Sequence, residues 1–213
     1  MKIQEIYAPL RRAGLTRAGA LGVIGNFMAE SGPALRPDRV QVGMTKLSDQ
    51  AYTTLVDAGR IDFADGIGYG LAQWTLSQRK TWLLSFAKKY GVSVGDGPMQ
   101  IDFFIWECRE CFPNVWKQLT TSDDVDACCD LVCRVYENPA VKNYVARRKF
   151  TAQAADQAWD VEDPAPPGGN LTVKLLQLAM SHDGYWPADR IDGQKCTEFR
   201  QKIIEYAADV AAT

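Results

Sequence analysis

Residues 15–32, LTRAGALGVIGNFMAESG, place a single glutamate at the end of an apolar stretch. Thr16 precedes the stretch, where its hydroxyl oxygen can accept a hydrogen bond from a first-turn amide and cap a helix. Phe27 and Glu30 lie three residues apart, and they therefore occupy neighbouring positions on one helix face. The Gly-Pro pair at 32–33 marks the end of the helix. The pattern predicts a helix whose last turn carries one carboxyl beside apolar side chains.

The position of Glu30 predicts acid chemistry. The C-terminal end of a helix carries partial negative charge, which disfavours a carboxylate. Val23, Phe27 and Met28 form an apolar wall that disfavours the charged form further. Both effects are expected to raise the pKa of Glu30, and a carboxyl that keeps its proton suits general acid cleavage of a glycosidic bond. Taken alone, the position is explained more simply by a surface glutamate at a helix end.

The composition is that of an ordinary globular protein. The chain has 213 residues, 46% hydrophobic and 23% charged, which is enough for one core or for a core with a small appendage. The net charge of −2 and the lack of a basic run argue against nucleic acid binding. Residues 1–19 lack the apolar core of a secretory signal, and no stretch reaches the roughly 20 apolar residues that span a bilayer. We therefore expect a protein made in the cytoplasm, without membrane insertion.

Six cysteines allow two interpretations. They are Cys108, Cys111, Cys128, Cys129, Cys133 and Cys196. The spacing of four of them could be drawn as a zinc site. However, the sequence contains one histidine, and the cysteines fall in helical patterns where small apolar side chains suit a helix face. We expect reduced, buried cysteines with no metal and no cofactor.

Most of the remaining chain has helical periodicity. Residues 33–65 are mixed and predict a loop with short elements. Residues 66–74, GIGYGLAQW, are too rich in glycine for a helix and predict a small hairpin or turn. Further helices are predicted over residues 77–90, 98–111, 123–136 and 139–159, the last two capped by Ser122 and Asn138.

A composition break divides the chain. Proline, glycine and acidic residues concentrate in residues 161–170, VEDPAPPGGN, which predicts a linker. The predicted organisation is a domain over residues 1–160, this linker, and a small helical segment over residues 171–213.

Three motifs in order resemble one family. Glu30-Ser31 comes first, the segment ending Gly70-Leu71-Ala72-Gln73 follows, and Tyr-Glu-Asn-Pro at 136–139 precedes a helix with paired arginines. Together they resemble the lysozyme superfamily, and within it the phage tail-lysozyme and endolysin group, over about residues 10–160. Soluble lytic transglycosylases and goose-type lysozymes share a weaker form of the first two motifs.

The resemblance implies a fold, a substrate and a site. The fold expected is α+β, mostly helical and lysozyme-like, with a small β-hairpin and a short helical C-terminal segment. The substrate implied is peptidoglycan, with Glu30 as the general acid. The residues implied to line the sugar cleft are Ser31, Gly68, Tyr69, Gly70, Gln73 and Trp74. Glycines let a backbone approach a sugar closely, and aromatic rings offer apolar faces. Trp74 suits core packing equally well, and Ser31 suits a helix cap.

Two further carboxyls of this region remain to be assigned. Hen-type lysozymes carry an aspartate where this chain has Gly68, so a covalent route through that position is not open to it. Asp62 and Asp65 lie just upstream and are candidate general bases, with Asp65 favoured because it is nearer the predicted strand. Glu137 is expected to pair with Arg147 or Arg148 rather than to take part in catalysis.

The function expected is that of a monomeric phage endolysin, an N-acetylmuramidase made in the host cytoplasm. It would reach the wall by holin-type release or on a virion, and the short chain favours release. One alternative is a lytic transglycosylase, in which Glu30 acts as acid and then as base. Others are a catalytically inactive domain that binds the wall and a zinc-stabilised interaction protein. Residues 171–213 faintly resemble a three-helix wall-binding module and fit a docked helical tail equally well.

Overall fold

The computed structural model describes residues 1–158. In this part of the chain, eight α-helices and one π-helical turn follow one another: α1 (Ile3–Ala13), α2 (Arg17–Ser31), α3 (Asp49–Asp57), α4 (Ser77–Tyr90), α5 (Gly97–Cys111), α6 (Pro113–Thr121), α7 (Val125–Leu131), the π-helical turn (Val132–Glu137) and α8 (Tyr144–Gln157).

Helix α2 is the centre of the described fold. Every residue from Ala18 to Met28 is buried, and α1, α6, α7 and α8 all pack against it. Thr16 caps its start by accepting a hydrogen bond of 2.9 Å from the Gly19 amide, as predicted. A helix that is buried on all sides has no polar face. Glu30 is therefore an exception on this helix, and it lies where α2 leaves the core.

Three glycines allow the other helices to approach α2 closely. A Cβ atom added at any of them would lie within 3.0 Å of a neighbouring helix, and such separations are not tolerated without movement. The contacts are Gly19 with Leu119 of α6, Gly22 with Cys128 and Cys129 of α7, and Gly25 with Arg147 and Thr151 of α8. The third contact brings the first half of α8 against the last turns of α2.

The predicted α+β class is wrong for the described residues. Residues 1–158 contain no β-strand, and the glycine-rich segment forms only two isolated bridges, from Tyr69 to Val40 and from Tyr69 to Trp74. The backbone turns back at once, because Gly70 and Gln73 have φ values of 79° and 46°. Left-handed residues cannot continue an extended strand. A tight turn therefore replaces the expected hairpin in a helical fold.

Two predicted helix starts are also corrected. Asp124, not Ser122, caps α7, by accepting a bond of 2.9 Å from the Ala127 amide. Asn138 caps no helix: it has left-handed backbone angles and follows the π-helical turn. Helix α8 begins after Asn143, whose side chain caps it by accepting a hydrogen bond of 3.1 Å from the Ala146 amide. Helix α3 arises within the segment predicted to be mostly loop.

The predicted linker, residues 161–170, and the segment 171–213 lie outside the described residues, and the predicted domain organisation stays a prediction. Within residues 1–158, no helix is both long enough and apolar enough to cross a membrane.

Candidate active site

A cleft opens where α2 ends. Its main cavity measures about 520 Å³ and is lined by residues from four chain segments: Ala29, Glu30 and Gly32; residues 39–42; Gly68, Ala72, Gln73 and Thr75; and Glu137, Pro139 and Ala140. A second cavity of about 440 Å³ shares Ala72, Gln73, Thr75, Glu137 and Pro139 with the first and continues toward Arg79 and Phe112. Sites for small organic ligands usually fall in this size range. Glu30, Gly68, Gln73 and Glu137 all line the main cavity.

Glu30 is held by a buried arginine. Its side chain is 19% exposed, and one carboxyl oxygen accepts a hydrogen bond from Nη2 of Arg147 on α8. Nη1 of Arg147 donates at 2.9 Å to Oδ1 of Asn26, one turn earlier on α2. Asn26 in turn donates to the Gly22 and Cys129 carbonyls at 2.8 and 3.0 Å. The direction of the Glu30 carboxyl is thus set by the packing of α2 against α7 and α8.

Glu137 is the second carboxyl of the cleft. The residue as a whole is half-buried, but its Oε1 atom is enclosed and has no hydrogen-bond partner. Burial raises the pKa of Glu137 well above its usual range, and the charge of Glu30 acts in the same direction. The ion pair expected with Arg147 or Arg148 is not formed. Arg147 pairs with Glu30, and Arg148 pairs with Asp130.

The floor of the cavity explains the glycine at position 68. Its amide donates at 2.9 Å to Oε1 of Gln41. A Cβ atom at Gly68 would lie 2.9 Å from Oε1 of Gln73, 3.2 Å from Oε1 of Gln41 and 3.3 Å from Oγ1 of Thr75. An aspartate would have to displace these oxygens and place its charge beside them. The lining around Gly68 is therefore polar but uncharged, although Arg39 lines the same cavity.

Gln73 and Gly70 differ in what they face. Gln73 lines both cavities, and its Nε2 donates to the Arg39 and Gly70 carbonyls at 3.0 and 3.1 Å, which leaves its Oε1 toward Gly68. Gly70 does not line the main cavity. The turn requires glycine at this position for two reasons. Gly70 has a positive φ, and an added Cβ atom would lie only 2.7 Å from Oε1 of Gln100.

The two aromatic residues of the motif are placed in the core. Tyr69 and Trp74 are both fully buried, and neither lines the main cavity. The hydroxyl of Tyr69 shares a hydrogen bond of 2.7 Å with Thr53, and burial raises its pKa. The indole of Trp74 donates at 3.0 Å to the hydroxyl of Tyr136. Ser31 is also buried and donates at 2.7 Å to the carbonyl one turn before it.

The structure does not bring Asp62 or Asp65 to the cleft. Neither lines the main cavity, and Asp62 accepts a local bond of 2.8 Å from the Ala64 amide. Asp65 contacts the buried ammonium of Lys80 at 2.5 Å and the hydroxyl of Tyr52 at 2.6 Å. Burial acts to raise the pKa of Asp65, but these hydrogen bonds outweigh it and the pKa is lowered. Their role as bases stays a prediction, while these contacts favour a structural role for Asp65.

The family model for phage tail lysozymes matches residues 2–158. The chain belongs to the phage tail lysozyme family. A comparison with curated proteins finds no match for it. The family acts in the lysis of bacterial peptidoglycan, and the helical architecture of the described residues fits a lysozyme-like fold. The match covers Glu30, the turn at residues 66–74 and Glu137, and thus every segment that lines the cleft.

The structure also places around Glu30 and in the cleft residues that were not among the predicted site residues. Asn26 is one, and the sequence carries a signal for it: a polar side chain in an apolar helix, one turn before Glu30. Arg147 is another, and its sequence signal is weak because α8 also carries Arg148. Gln41 and Thr75 give no signal in the sequence. Their place in the cleft depends on how the loops meet.

The cysteines of the described part differ in exposure. Cys108, Cys128, Cys129 and Cys133 are buried, whereas Cys111 is exposed, which corrects the prediction that all would be buried. All five are free thiols. Cys196 lies outside the described residues. Among residues 1–158, no group of three or more histidine, cysteine or acidic side chains is arranged to hold a metal ion.

Proposed function

We propose that this member of the family is an N-acetylmuramidase that hydrolyses the glycan backbone of peptidoglycan, with Glu30 as the general acid. The observation that carries the proposal is the cavity itself. Glu30 lines this cavity together with uncharged side-chain oxygens and backbone around Gly68, and Arg39 and Glu137 are its other charged residues. A sugar needs hydrogen-bond partners of this kind, and a glycosidic oxygen needs one proton donor beside it.

The absence of a side chain at Gly68 bears on the route. Position 68 offers no nucleophile, so a covalent glycosyl-enzyme cannot form there. We therefore propose that water attacks the sugar carbon, and that Oε1 of Gln73 and Oγ1 of Thr75 hold this water. The competing route is a lytic transglycosylase, in which a hydroxyl of the sugar attacks. Mass spectrometry of digested peptidoglycan separates the two. Products with reducing ends would support hydrolysis. Products with anhydro-sugar ends would contradict it and show transglycosylation.

The Glu30→Gln variant tests the acid. Glutamine keeps a carbonyl oxygen that can accept the bond from Arg147, so the fold should be retained, while proton donation is lost. Lysis should fall about 10²–10⁴-fold. Glu110→Gln is the matched control, because Glu110 also lies in the last turn of a helix but is exposed and outside the cleft. Near-normal lysis by folded Glu30→Gln protein would show that the assignment is wrong.

The site of action proposed is the cell wall. The name of the family refers to phage tails, which favours carriage on a virion over holin-type release. Detection of the protein in purified virions by mass spectrometry would support carriage. Its presence only in lysates would support release.

A further inference from the structure

We propose that Arg39 binds a carboxylate of the substrate, so that the protein prefers peptidoglycan strands whose acidic groups are intact. The inference rests on the proposed function and adds a specificity-determining residue to it. In peptidoglycan, carboxylates belong to the peptide stem or, where no stem is attached, to the lactyl group of muramic acid. Among the described residues that line the main cavity, Arg39 is the only lysine or arginine.

The backbone of Arg39 is fixed by the glycine-rich turn. Its carbonyl accepts hydrogen bonds from the Gly70 amide at 2.8 Å and from Nε2 of Gln73 at 3.0 Å. Two residues on, the Gln41 amide donates at 2.8 Å to the Gly68 carbonyl, and the Gly68 amide donates at 2.9 Å to Oε1 of Gln41. The segment that carries Arg39 is therefore held against the turn that lines the cleft. A binding group on a segment held in this way loses less conformational freedom when a ligand binds.

The guanidinium of Arg39 is free to take another carboxylate. Its side chain is 34% exposed, and its ion pair with Oδ2 of Asp49 is long, at 3.5 Å. The same oxygen lies 2.9 Å from Nη2 of Arg36, and Oδ1 of Asp49 accepts a bond of 3.2 Å from the Val40 amide. Asp49 thus keeps two closer partners when Arg39 turns away from it. Arginine presents its N–H donors in a planar fork that matches the two oxygens of a carboxylate.

The position of Arg39 suits a branch of the sugar chain. Residues 39–42 line the main cavity and also a third cavity of about 220 Å³, which continues toward Leu47. Arg39 thus lies where the two cavities adjoin. The other charged groups in the lining of the main cavity, Glu30 and Glu137, are acids and cannot attract a carboxylate. A glycan chain beside Glu30 therefore has one cation in reach of its acidic branches.

The first test compares substrates with the wild-type protein. Soluble glycan strands are prepared with peptide stems, and without them after amidase treatment, which frees the lactyl carboxylates. Each kind is also prepared with its carboxylates converted to neutral amides. We expect kcat/KM to be about tenfold higher on acidic strands of at least one kind, mainly through KM, and the difference to shrink as salt is added. The kind that shows the preference identifies the carboxylate, and no preference with either kind would overturn the inference.

The second test uses Arg39→Gln, with Arg36→Gln as the matched control. Arg39→Gln should lower kcat/KM on the preferred acidic strands about tenfold, to the value on neutral strands. Arg36 forms the closer ion pair with the same Asp49 but does not line the main cavity, so Arg36→Gln should keep the preference. A purely structural role for Arg39 would slow the cleavage of acidic and neutral strands equally. That result, or an equal loss of preference in Arg36→Gln, would contradict carboxylate binding by Arg39.

Binding separates this inference from the proposed function, because it requires no cleavage. Calorimetry with Glu30→Gln protein should give a Kd about tenfold lower for the acidic strands, and adding Arg39→Gln should remove that difference. If the difference persists, only the role of Arg39 fails; if folded Glu30→Gln lyses normally, the proposed function fails. Should Arg39→Gln not fold, Arg39→Lys keeps the charge without the fork and should keep only part of the preference. A full wild-type preference in Arg39→Lys would overturn recognition through the fork.

Discussion

Gly25→Ala tests whether close packing of α8 on α2 sets the site. An added Cβ would lie 1.9 Å from Oγ1 of Thr151 and 2.9 Å from two backbone atoms of α8, the Arg147 carbonyl oxygen and the Thr151 amide nitrogen. The hydroxyl can rotate away, but the backbone of α8 must shift. Arg147 and its bonds to Glu30 and Asn26 move with it.

The magnitude follows from two opposing effects. Alanine improves helix propensity over glycine by about 1 kcal/mol. Forcing an extra methyl group into a packed interior typically costs about 1–3 kcal/mol, and here rigid backbone is displaced. Separating α2 from α8 also weakens the buried hydrogen bond from Arg147 to Asn26, which joins the two helices. We expect a net destabilisation on the order of 1–3 kcal/mol, which lowers Tm by about 2–4 °C for each kcal/mol in a protein of this size.

The assay is thermal unfolding followed by circular dichroism, with lysis measured well below Tm. Gly97→Ala is the matched control, because its added Cβ would meet only the flexible end of Met1. It should leave Tm and lysis near wild type, whereas Gly25→Ala should lower both. Adding Thr151→Ala removes the closest contact, so the double variant should lose less stability than the two single losses combined. A raised Tm for Gly25→Ala, as propensity alone predicts, would refute the reasoning.

Two further predictions concern residues away from the cleft. Asp65→Asn should cost about 1.5–3 kcal/mol in the free energy of unfolding, because it leaves the buried Lys80 ammonium without its carboxylate. Since the pKa of Asp65 is lowered in the folded state, its contribution is present above about pH 4 and is lost as pH falls through the folded value. Denaturant titrations at several acid pH values should therefore show that the free energy of unfolding changes less with pH in the variant than in the wild type. Asp62→Asn is the control and should change little, and a large loss of lysis in folded Asp65→Asn would instead support a catalytic base. In native protein, peptide mapping after alkylation should find Cys111 labelled and Cys108, Cys128, Cys129 and Cys133 protected until unfolding, and equal labelling of all five would contradict their burial.

The sequence by itself determined the local features of this protein. The Thr16 cap, the extent of α2, the helix over residues 77–90 and its stop at Gly91 all agree with the structure. These features depend on hydrogen bonds between residues three or four apart, which neighbouring side chains control. Motif order also sufficed to predict the family, because Glu30, the glycine-rich turn and the segment at 136–139 follow one another at recognisable spacing.

Only the tertiary structure decided which groups meet. The partner of Glu30 is Arg147 because α8 crosses α2 at Gly25, and nothing within α8 distinguishes Arg147 from Arg148. Tyr69 and Trp74 are core residues because the turn closes over α5 instead of extending into a hairpin. Among the described residues Glu137 forms no ion pair, because the fold directs Arg79 to Glu107 and Arg147 to Glu30. Each outcome depends on contacts between residues far apart in the chain, and local periodicity carries no information about those distances.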